Sequence, residues 1–160
     1  MKYPILLLSH ILMVHAMCEK ECPCINLTRH FLETSYPIKS YSEGPACSRY
    51  LTGPSTSYIY AESAFNFSNI PTPNDYRFNR YVTIEGTISP DPDAPDVDIV
   101  ERFGLVCDGM YWRITKFPFG YFYYTNSATG KVHVDASEAN GKGYWMLIDS
   151  FTFFSAFIRV

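Results

Sequence analysis

Three side-chain types that serve in acid–base and nucleophilic catalysis stand close together near the C-terminus: His133, Asp135 and Ser137. In a strand, His133 and Asp135 point to the same face. A catalytic triad, however, is formed by groups that converge from distant positions beside an oxyanion hole, and the sequence contains no G-x-S-x-G nucleophile elbow. We therefore expect a protein that is not an enzyme, and a hydrolase is the last of the alternatives.

The second reactive group consists of five cysteines, Cys18, Cys22, Cys24, Cys47 and Cys107. In an oxidising compartment such cysteines form disulfides where geometry allows. Only a proline separates Cys22 from Cys24, and such close strand-like residues splay apart, so each is expected to reach a distant partner, Cys47 or Cys107. The odd count leaves one thiol, for which we choose Cys18. This thiol is either free or links two chains into a dimer.

Metal ligation has two candidates, and we expect neither to hold an ion or any other cofactor. The N-terminal cysteines lack the repeated C-x2-4-C pair or the histidine pair of a structural zinc site. Carboxylates at the spacing of the acidic run could ligate calcium, but prolines stiffen this loop and the glycine and late glutamate of an EF-hand are missing. The sequence favours a solvated acidic loop and leaves calcium open. The run consists of Asp91, Asp93, Asp96 and Asp98.

Aromatic residues are the most distinctive chemical feature, at 17% of the chain. Since successive strand residues face opposite sides, the four consecutive aromatics Tyr121–Tyr124 cannot all be buried by a sheet with one covered face. Either both faces are covered, or one face is an aromatic platform for a sugar, a peptide or a partner protein. The candidate contact residues of such a platform are Trp112, Tyr121, Tyr123 and Tyr124.

Short strands are expected to position these residues, because Pro and Gly recur every few residues among Tyr, Phe, Val, Ile and Thr. The predicted strands are Ser57–Glu62, Tyr81–Ile88, Val100–Cys107, Tyr111–Phe117, Gly120–Thr125, Lys131–Val134 and Gly143–Ile148. A short helix is predicted over Ile25–Thr34. Seven or eight strands predict an all-β fold, a small antiparallel sandwich or partly open barrel with a disulfide-tethered N-terminal segment.

Two turns organise the aromatic region. Asp108-Gly109 is a favoured two-residue hairpin turn, predicted to join a strand that ends at Val106 to one that starts at Tyr111. The loop 126–130 turns the strand at 121–124 back onto 131–134. The region from Phe103 to Val134 is thus predicted to be one antiparallel meander.

The N-terminus predicts secretion. A lysine followed by a short apolar run and Val14-His15-Ala16 is typical of a signal peptide over 1–16, which leaves a single β domain over 17–160 without a membrane span. Asn26 and Asn66 fit the N-glycosylation rule. The net charge of -3 gives no cationic field for a phosphate backbone, so nucleic-acid binding is not expected.

Four features recur between Cys22 and Trp112: the close pair Cys22 and Cys24, Gly44-Pro45-Ala46-Cys47, the segment Ala61–Asn66, and Leu105-Val106-Cys107-Asp108-Gly109 running to Trp112. Together they resemble the pattern of the nematode family of secreted six-cysteine domains. The chain departs from the pattern because Gly53 stands where another cysteine is expected and none follows Trp112. The resemblance implies a small extracellular β module, and lost cysteines would explain the odd count.

The function expected from these observations is that of a secreted extracellular binding module with an aromatic-rich β surface. Its partner would be an extracellular protein or a glycan. A small-ligand carrier of lipocalin-like type is the alternative, and it would require an enclosed apolar cavity.

Overall fold

The computed structural model describes residues 21–30, 38–74, 81–89, 91, 93–125 and 130–148, and the backbone of 150–155. The predicted signal peptide, Cys18, residues 31–34 of the predicted helix 25–34 and most of the loop 126–130 lie outside the described residues. A short 3₁₀ helix occupies Leu27–His30 inside the predicted helix. None of the described helices is long and apolar enough to cross a membrane.

Eleven strands and two short α-helices make up the rest of the described fold. They are β1 (Ser40–Glu43), β2 (Arg49–Gly53), β3 (Ser57–Ala64), β4 (Tyr81–Thr87), β5 (Val97–Asp98), α1 (Ile99–Phe103), β6 (Val106–Asp108), β7 (Tyr111–Ile114), β8 (Tyr121–Tyr124), β9 (Lys131–Val134), α2 (Ala136–Gly141), β10 (Met146–Leu147) and β11 (Ser150–Ser155). A second 3₁₀ helix, Phe65–Phe67, follows β3.

The strands form three antiparallel sheets, which confirms the all-β prediction. The largest has the order β11-β3-β4-β8-β9, and the two smaller ones have the orders β1-β2-β5 and β10-β7-β6. Within the described residues none of the sheets closes into a barrel. The sandwich alternative therefore describes the fold.

One hydrophobic cluster joins the inner faces of the sheets. In β3, fully buried residues alternate with half-buried ones, as expected for a strand with one face on the core. The large sheet contributes Ile59 and Ile84 to this core, and β7 contributes Trp112 and Ile114. Burial of this apolar area, the main favourable contribution to folding, therefore holds the sheets together.

The predicted strand Val100–Cys107 is wrong in its first half, where the structure has the helix α1. The Asp98 carboxylate accepts a hydrogen bond from the Glu101 backbone N–H at 3.1 Å, which caps the helix start. Ile99 and Phe103, four positions apart, are both buried. Apolar composition suggested a strand, but the cap and the helical spacing determine the local structure.

The predicted meander from Phe103 to Val134 is also wrong, because its two hairpins belong to different sheets. The hairpin β8–β9 is confirmed, with Tyr121 opposite Val134, but β8 pairs on its other side with β4. The hairpin β6–β7 instead pairs with β10. Between them, the Phe117 N–H donates to the Asn140 side chain at 2.9 Å, which directs the chain toward α2 and away from β7.

The turn of the β6–β7 hairpin is shifted by one residue from the prediction. Asp108 is still in the strand, opposite Tyr111, so the turn residues are Gly109 and Met110. Gly109 has φ of 65°, and it is the only one of the two with a positive φ. A glycine at the first turn position is typical of type II′ hairpins, whereas the predicted turn would need positive φ at an aspartate as well.

Candidate binding surface

The outer face of the large sheet gathers aromatic and charged side chains from four strands. Register places Tyr58 and Tyr60 of β3 on the same face as Glu85 of β4, and it aligns Phe122 of β8 with His133 of β9. Tyr124 pairs with Lys131 at the edge. We call this surface the tyrosine face; its residues are Tyr58, Tyr60, Glu62, Thr83, Glu85, Phe122, Tyr124, Lys131 and His133.

Solvent reaches this face. Tyr124 is 39% exposed, and Lys131 and His133 are also exposed. Tyr58 and Tyr60 are half-buried, so that each offers part of its ring. The strand β11 joins the same sheet at the opposite edge, beside β3.

Cations on the tyrosine face are paired with rings and carboxylates. The Lys131 ammonium forms an ion pair with Glu85 and lies 4.1 Å from the centre of the Phe122 ring. Phe122 stacks on His133 with 4.4 Å between the ring centres. The Nε2 atom of His133 lies 2.9 Å from the Phe119 carbonyl oxygen. These contacts fix the side chains that border Tyr124.

Burial raises the pKa of two tyrosine hydroxyls on this face, those of Tyr58 and Tyr60. The Tyr60 hydroxyl donates to the Glu62 carboxylate at 2.6 Å. Burial, followed by the hydrogen bond and charge of Glu62, raises the pKa of Tyr60 to about 12. Burial and the neighbouring Tyr124 also raise the pKa of Tyr58. The face therefore combines tyrosine hydroxyls, the carboxylates of Glu62 and Glu85, the Lys131 ammonium and apolar ring area.

Two of the residues predicted for the aromatic platform lie in the core. Trp112 is 1% exposed, and its indole N–H donates to the Ile25 carbonyl at 2.7 Å. Tyr121 is 6% exposed and packs against Phe117 and Tyr144. Burial, then Tyr144, raises the pKa of Tyr121 to about 12. Burial removes both residues from the set of candidate contacts.

The other two predicted residues lie on opposite sides of the sheet. Tyr123 is opposite Val82 on the inner face, where it packs against Phe65 with 6.2 Å between the ring centres. Tyr124 is the one of the four that the tyrosine face contains. Sequence reasoning missed Tyr58, Tyr60 and Phe122, although the Tyr-x-Tyr-x-Glu alternation beginning at Tyr58 signals an outward polar-aromatic row.

The structure pairs Cys22 with Cys47 and Cys24 with Cys107. The two bridges lie against each other, with 3.7 Å between the sulfurs of Cys22 and Cys107. These two sulfurs and that of Cys24 are the only metal-ligand cluster found among the described residues, all within 4.8 Å. As disulfide sulfurs they are not thiolates, the form of cysteine that binds metals.

The acidic run is divided among separate structural contacts. Asp98 caps α1, and Asp96 forms an ion pair with Lys39 at 2.7 Å. The Asp91 carboxylate accepts a hydrogen bond from the Asp93 backbone N–H at 2.9 Å. The side chains of Asp96 and Asp98 also line an open cleft of about 830 Å³.

The His133 and Asp135 side chains are near each other at the surface. Nδ1 of His133 lies 3.6 Å from an Asp135 carboxylate oxygen, and the two side chains are 42% and 80% exposed. Ser137 lies in α2 and is exposed. Through its ring contact with Phe122, His133 is a part of the tyrosine face.

Both glycosylation candidates are exposed. The Asn26 side-chain oxygen accepts hydrogen bonds from the backbone N–H and the hydroxyl of Thr28, the third residue of its sequon. Asn66 lies in the short helix Phe65–Phe67.

Taken together, these features define a disulfide-bonded, all-β domain with one polar-aromatic sheet face. The family model described as TRA-1 regulated protein R03H10.4 matches residues 20–150. The chain belongs to this nematode family. No curated protein and no solved structure matches the chain.

Proposed function

We propose that this protein is a secreted extracellular binding module and that the tyrosine face is its contact surface. The observation that supports this most directly is the row of partly exposed rings, Tyr58, Tyr60, Phe122 and Tyr124, with charged groups held between them. Exposed polar-aromatic surfaces of this kind are enriched at contact sites, because a ring supplies large area at low conformational cost. The role is binding and not catalysis.

Secretion is part of the proposal. The signal-peptide pattern over 1–16 supports it, as do two disulfides and two exposed sequons. A relation to the secreted six-cysteine domains is supported by the bridge from Cys24 to Cys107, since this bridge joins two of the segments that carry the resemblance. The intact mass of the protein recovered from culture medium, after removal of any glycan, should be that of a chain that begins at Met17.

A neutral glycan is the ligand class that the tyrosine face favours over an extracellular protein. A sugar ring offers C–H groups to aromatic rings and hydroxyls to carboxylates and tyrosine hydroxyls. The cation Lys131 is paired with the anion Glu85, so a strongly anionic ligand would have to break that pair. A sugar can stack on Tyr124 and leave the pair intact.

A glycan array with the purified secreted protein tests the proposal. We expect Tyr124→Ala to weaken binding about tenfold, since truncation of a tyrosine at a contact site costs on the order of 1–2 kcal/mol. Tyr50→Ala is the matched control, because Tyr50 is 49% exposed but lies on β2, in another sheet.

Equal weakening by the two variants would contradict the assignment of the face. Binding that is confined to anionic glycans and lost in high salt would contradict the neutral-ligand assignment. If a purified extracellular protein binds and Tyr124→Ala weakens that binding, the tyrosine face remains the proposed contact surface but its ligand is a protein and not a glycan.

A further inference from the structure

The two disulfide bridges are in contact and differ in their access to solvent. The Cys22 sulfur lies 3.7 Å from the Cys107 sulfur of the other bridge and within 4.8 Å of the Cys24 sulfur. Cys22 and Cys47 are both half-buried, whereas the other bridge has a buried partner, Cys24, at 8% exposure. Cys22 also lines an open cleft of about 630 Å³ beside the turn between β1 and β2. A dissolved reductant therefore reaches the Cys22–Cys47 bridge more easily than the second bridge.

The turn that carries Cys47 contains a strained residue. Ala46 has φ of 54°, and among the described residues no other non-glycine has a positive φ. This left-handed region is unfavourable because the β-carbon approaches the following carbonyl oxygen. The Gly44 N–H donates to the Ser48 carbonyl at 2.9 Å and closes the turn, while the bridge at Cys47 ties it to the N-terminal segment. Opening of this bridge removes one of the constraints on Ala46, which favours its loss.

The Cys22 sulfur is kept beside the second bridge when its own bridge opens. Cys24, two positions later, remains in its own disulfide. The Ile25 N–H donates to the Met110 carbonyl at 3.3 Å, and the Trp112 indole N–H donates to the Ile25 carbonyl at 2.7 Å. A thiolate tethered at such close range has an effective concentration on the order of millimolar or more. Exchange within the chain is therefore faster than attack by a dilute reductant.

We propose that the two bridges form a redox-sensitive switch that releases the turn between β1 and β2. A dithiol reductant attacks the Cys22–Cys47 bridge, and the two thiols of the reductant become a disulfide while both cysteines become thiols. The Cys22 thiolate then attacks the Cys107 sulfur. The Cys22–Cys107 bond forms, the bond from Cys107 to Cys24 breaks, and Cys24 leaves as a thiolate.

The exchanged form has a defined place for the new thiol. Cys24 takes up the proton that Cys22 lost, and its sulfur lies 3.1 Å from the Tyr111 carbonyl oxygen, which can accept a hydrogen bond from the S–H group. The N-terminal segment stays bonded to β6 through Cys107. Cys47 is left as a thiol, so the turn between β1 and β2 loses its covalent tie.

Mild reduction of the full chain, purified from a secreting host, tests the switch. The Cys18→Ser variant is used so that only the bridged cysteines react. It is treated with dithiothreitol until two thiols are open, quenched with acid and alkylated with N-ethylmaleimide in denaturant. We expect labels on Cys24 and Cys47 and an intact Cys22–Cys107 bridge. Fragmentation of the peptide that contains Cys22 and Cys24 identifies which of them is labelled. Any other pair of labels, or loss of both bridges at once, would overturn the proposal.

Two further variants in the Cys18→Ser background form a matched pair. Cys47→Ser leaves Cys22 as a thiol beside the second bridge, so Cys24 should be labelled without any reductant. Cys22→Ser removes the attacking sulfur, so the untreated protein should show about tenfold less label on Cys24. Far-UV circular dichroism verifies that both variants fold. Equal labelling of Cys24 in the two variants would contradict exchange through Cys22.

Discussion

The tyrosine face differs from a second exposed surface, the hairpin face, which consists of Val106, Met110 and Tyr111 on the β6–β7 hairpin. On the tyrosine face, rings alternate with hydroxyls and charges, and Lys131 is in contact with both Glu85 and Phe122. On the hairpin face, Val106, Met110 and Tyr111 present apolar area to solvent. The first arrangement keeps the Lys131 charge paired on a solvated surface. The second leaves apolar area in contact with water.

The two faces also differ in what holds them in place. A continuous ladder of strands positions the tyrosine face, with seven register pairs between β3 and β4 alone. The hairpin face belongs to a three-stranded sheet of short strands and is fastened by a disulfide to the N-terminal segment. The comparison predicts that covalent and backbone changes affect the two faces unequally.

Removal of a bridge should have the largest effect. The Cys24–Cys107 bridge closes a separation of 83 residues and the Cys22–Cys47 bridge one of 25. In the chain-entropy model these contribute about 4.5 and about 3.5 kcal/mol to the free energy of unfolding, which urea denaturation of the two double alanine variants measures. Cys18→Ser serves as the control.

At urea concentrations where the Cys24→Ala/Cys107→Ala protein remains folded, it should keep its glycan binding, because the strand ladder and not this bridge positions the tyrosine face. Loss of glycan binding in the folded variant would contradict the separate anchoring of the two faces.

Glycine substitutions should have an intermediate effect that differs between the faces. Gly120, just before β8, has φ of 70°, and a β-carbon there would overlap the Val134 carbonyl oxygen. We expect Gly120→Ala to destabilise the protein by about 3 kcal/mol, from backbone clash and strain. Around Gly109 nothing lies within 4 Å of the added atom, so Gly109→Ala should cost only about 1 kcal/mol. Equal losses of stability for the two variants in thermal denaturation would show that the backbone around Gly120 and Val134 moves to accommodate the added atom.

The smallest effect concerns two comparable cations. Arg113 pairs with Asp108 and lies 4.0 Å from the centre of the Trp145 ring, while Lys131 has the corresponding contacts on the tyrosine face. The side chains are 27% and 37% exposed. Arg113→Met should therefore cost about 1–2 kcal/mol and Lys131→Met about 0.5 kcal/mol. Urea denaturation at low and high salt measures both, and a larger loss for Lys131→Met would reverse the ranking.

The fold class was predictable from the sequence, whereas the candidate surface was predictable only in part. Tyr121–Tyr124 has rings at every position, so it carries no alternation from which to read which side faces the core. Register with β4 decides that point, because Val82 stands opposite Tyr123. The alternation in β3 does carry this information and would have placed Tyr58 and Tyr60 outward.

Local sequence patterns could not predict which strands pair in the same sheet. Nothing in the sequence near β7 indicates that it pairs with β10, which lies more than thirty residues later in the chain. The helix α1, in contrast, had readable signals in the Asp98 cap and in the spacing of Ile99 and Phe103. Long-range pairing follows from the packing of the whole core, whereas a helix cap depends on its immediate neighbours.

The two bridges overlap along the chain, since Cys24 falls between Cys22 and Cys47, and Cys107 follows all three. A protease that cuts one peptide bond anywhere between Cys24 and Cys107 therefore releases no fragment. The same holds for a cut within residues 75–80, which directly precede β4 of the tyrosine face in the sequence. The cleaved protein would migrate as one species until its disulfides are reduced, so damage to this segment would be invisible on a non-reducing gel.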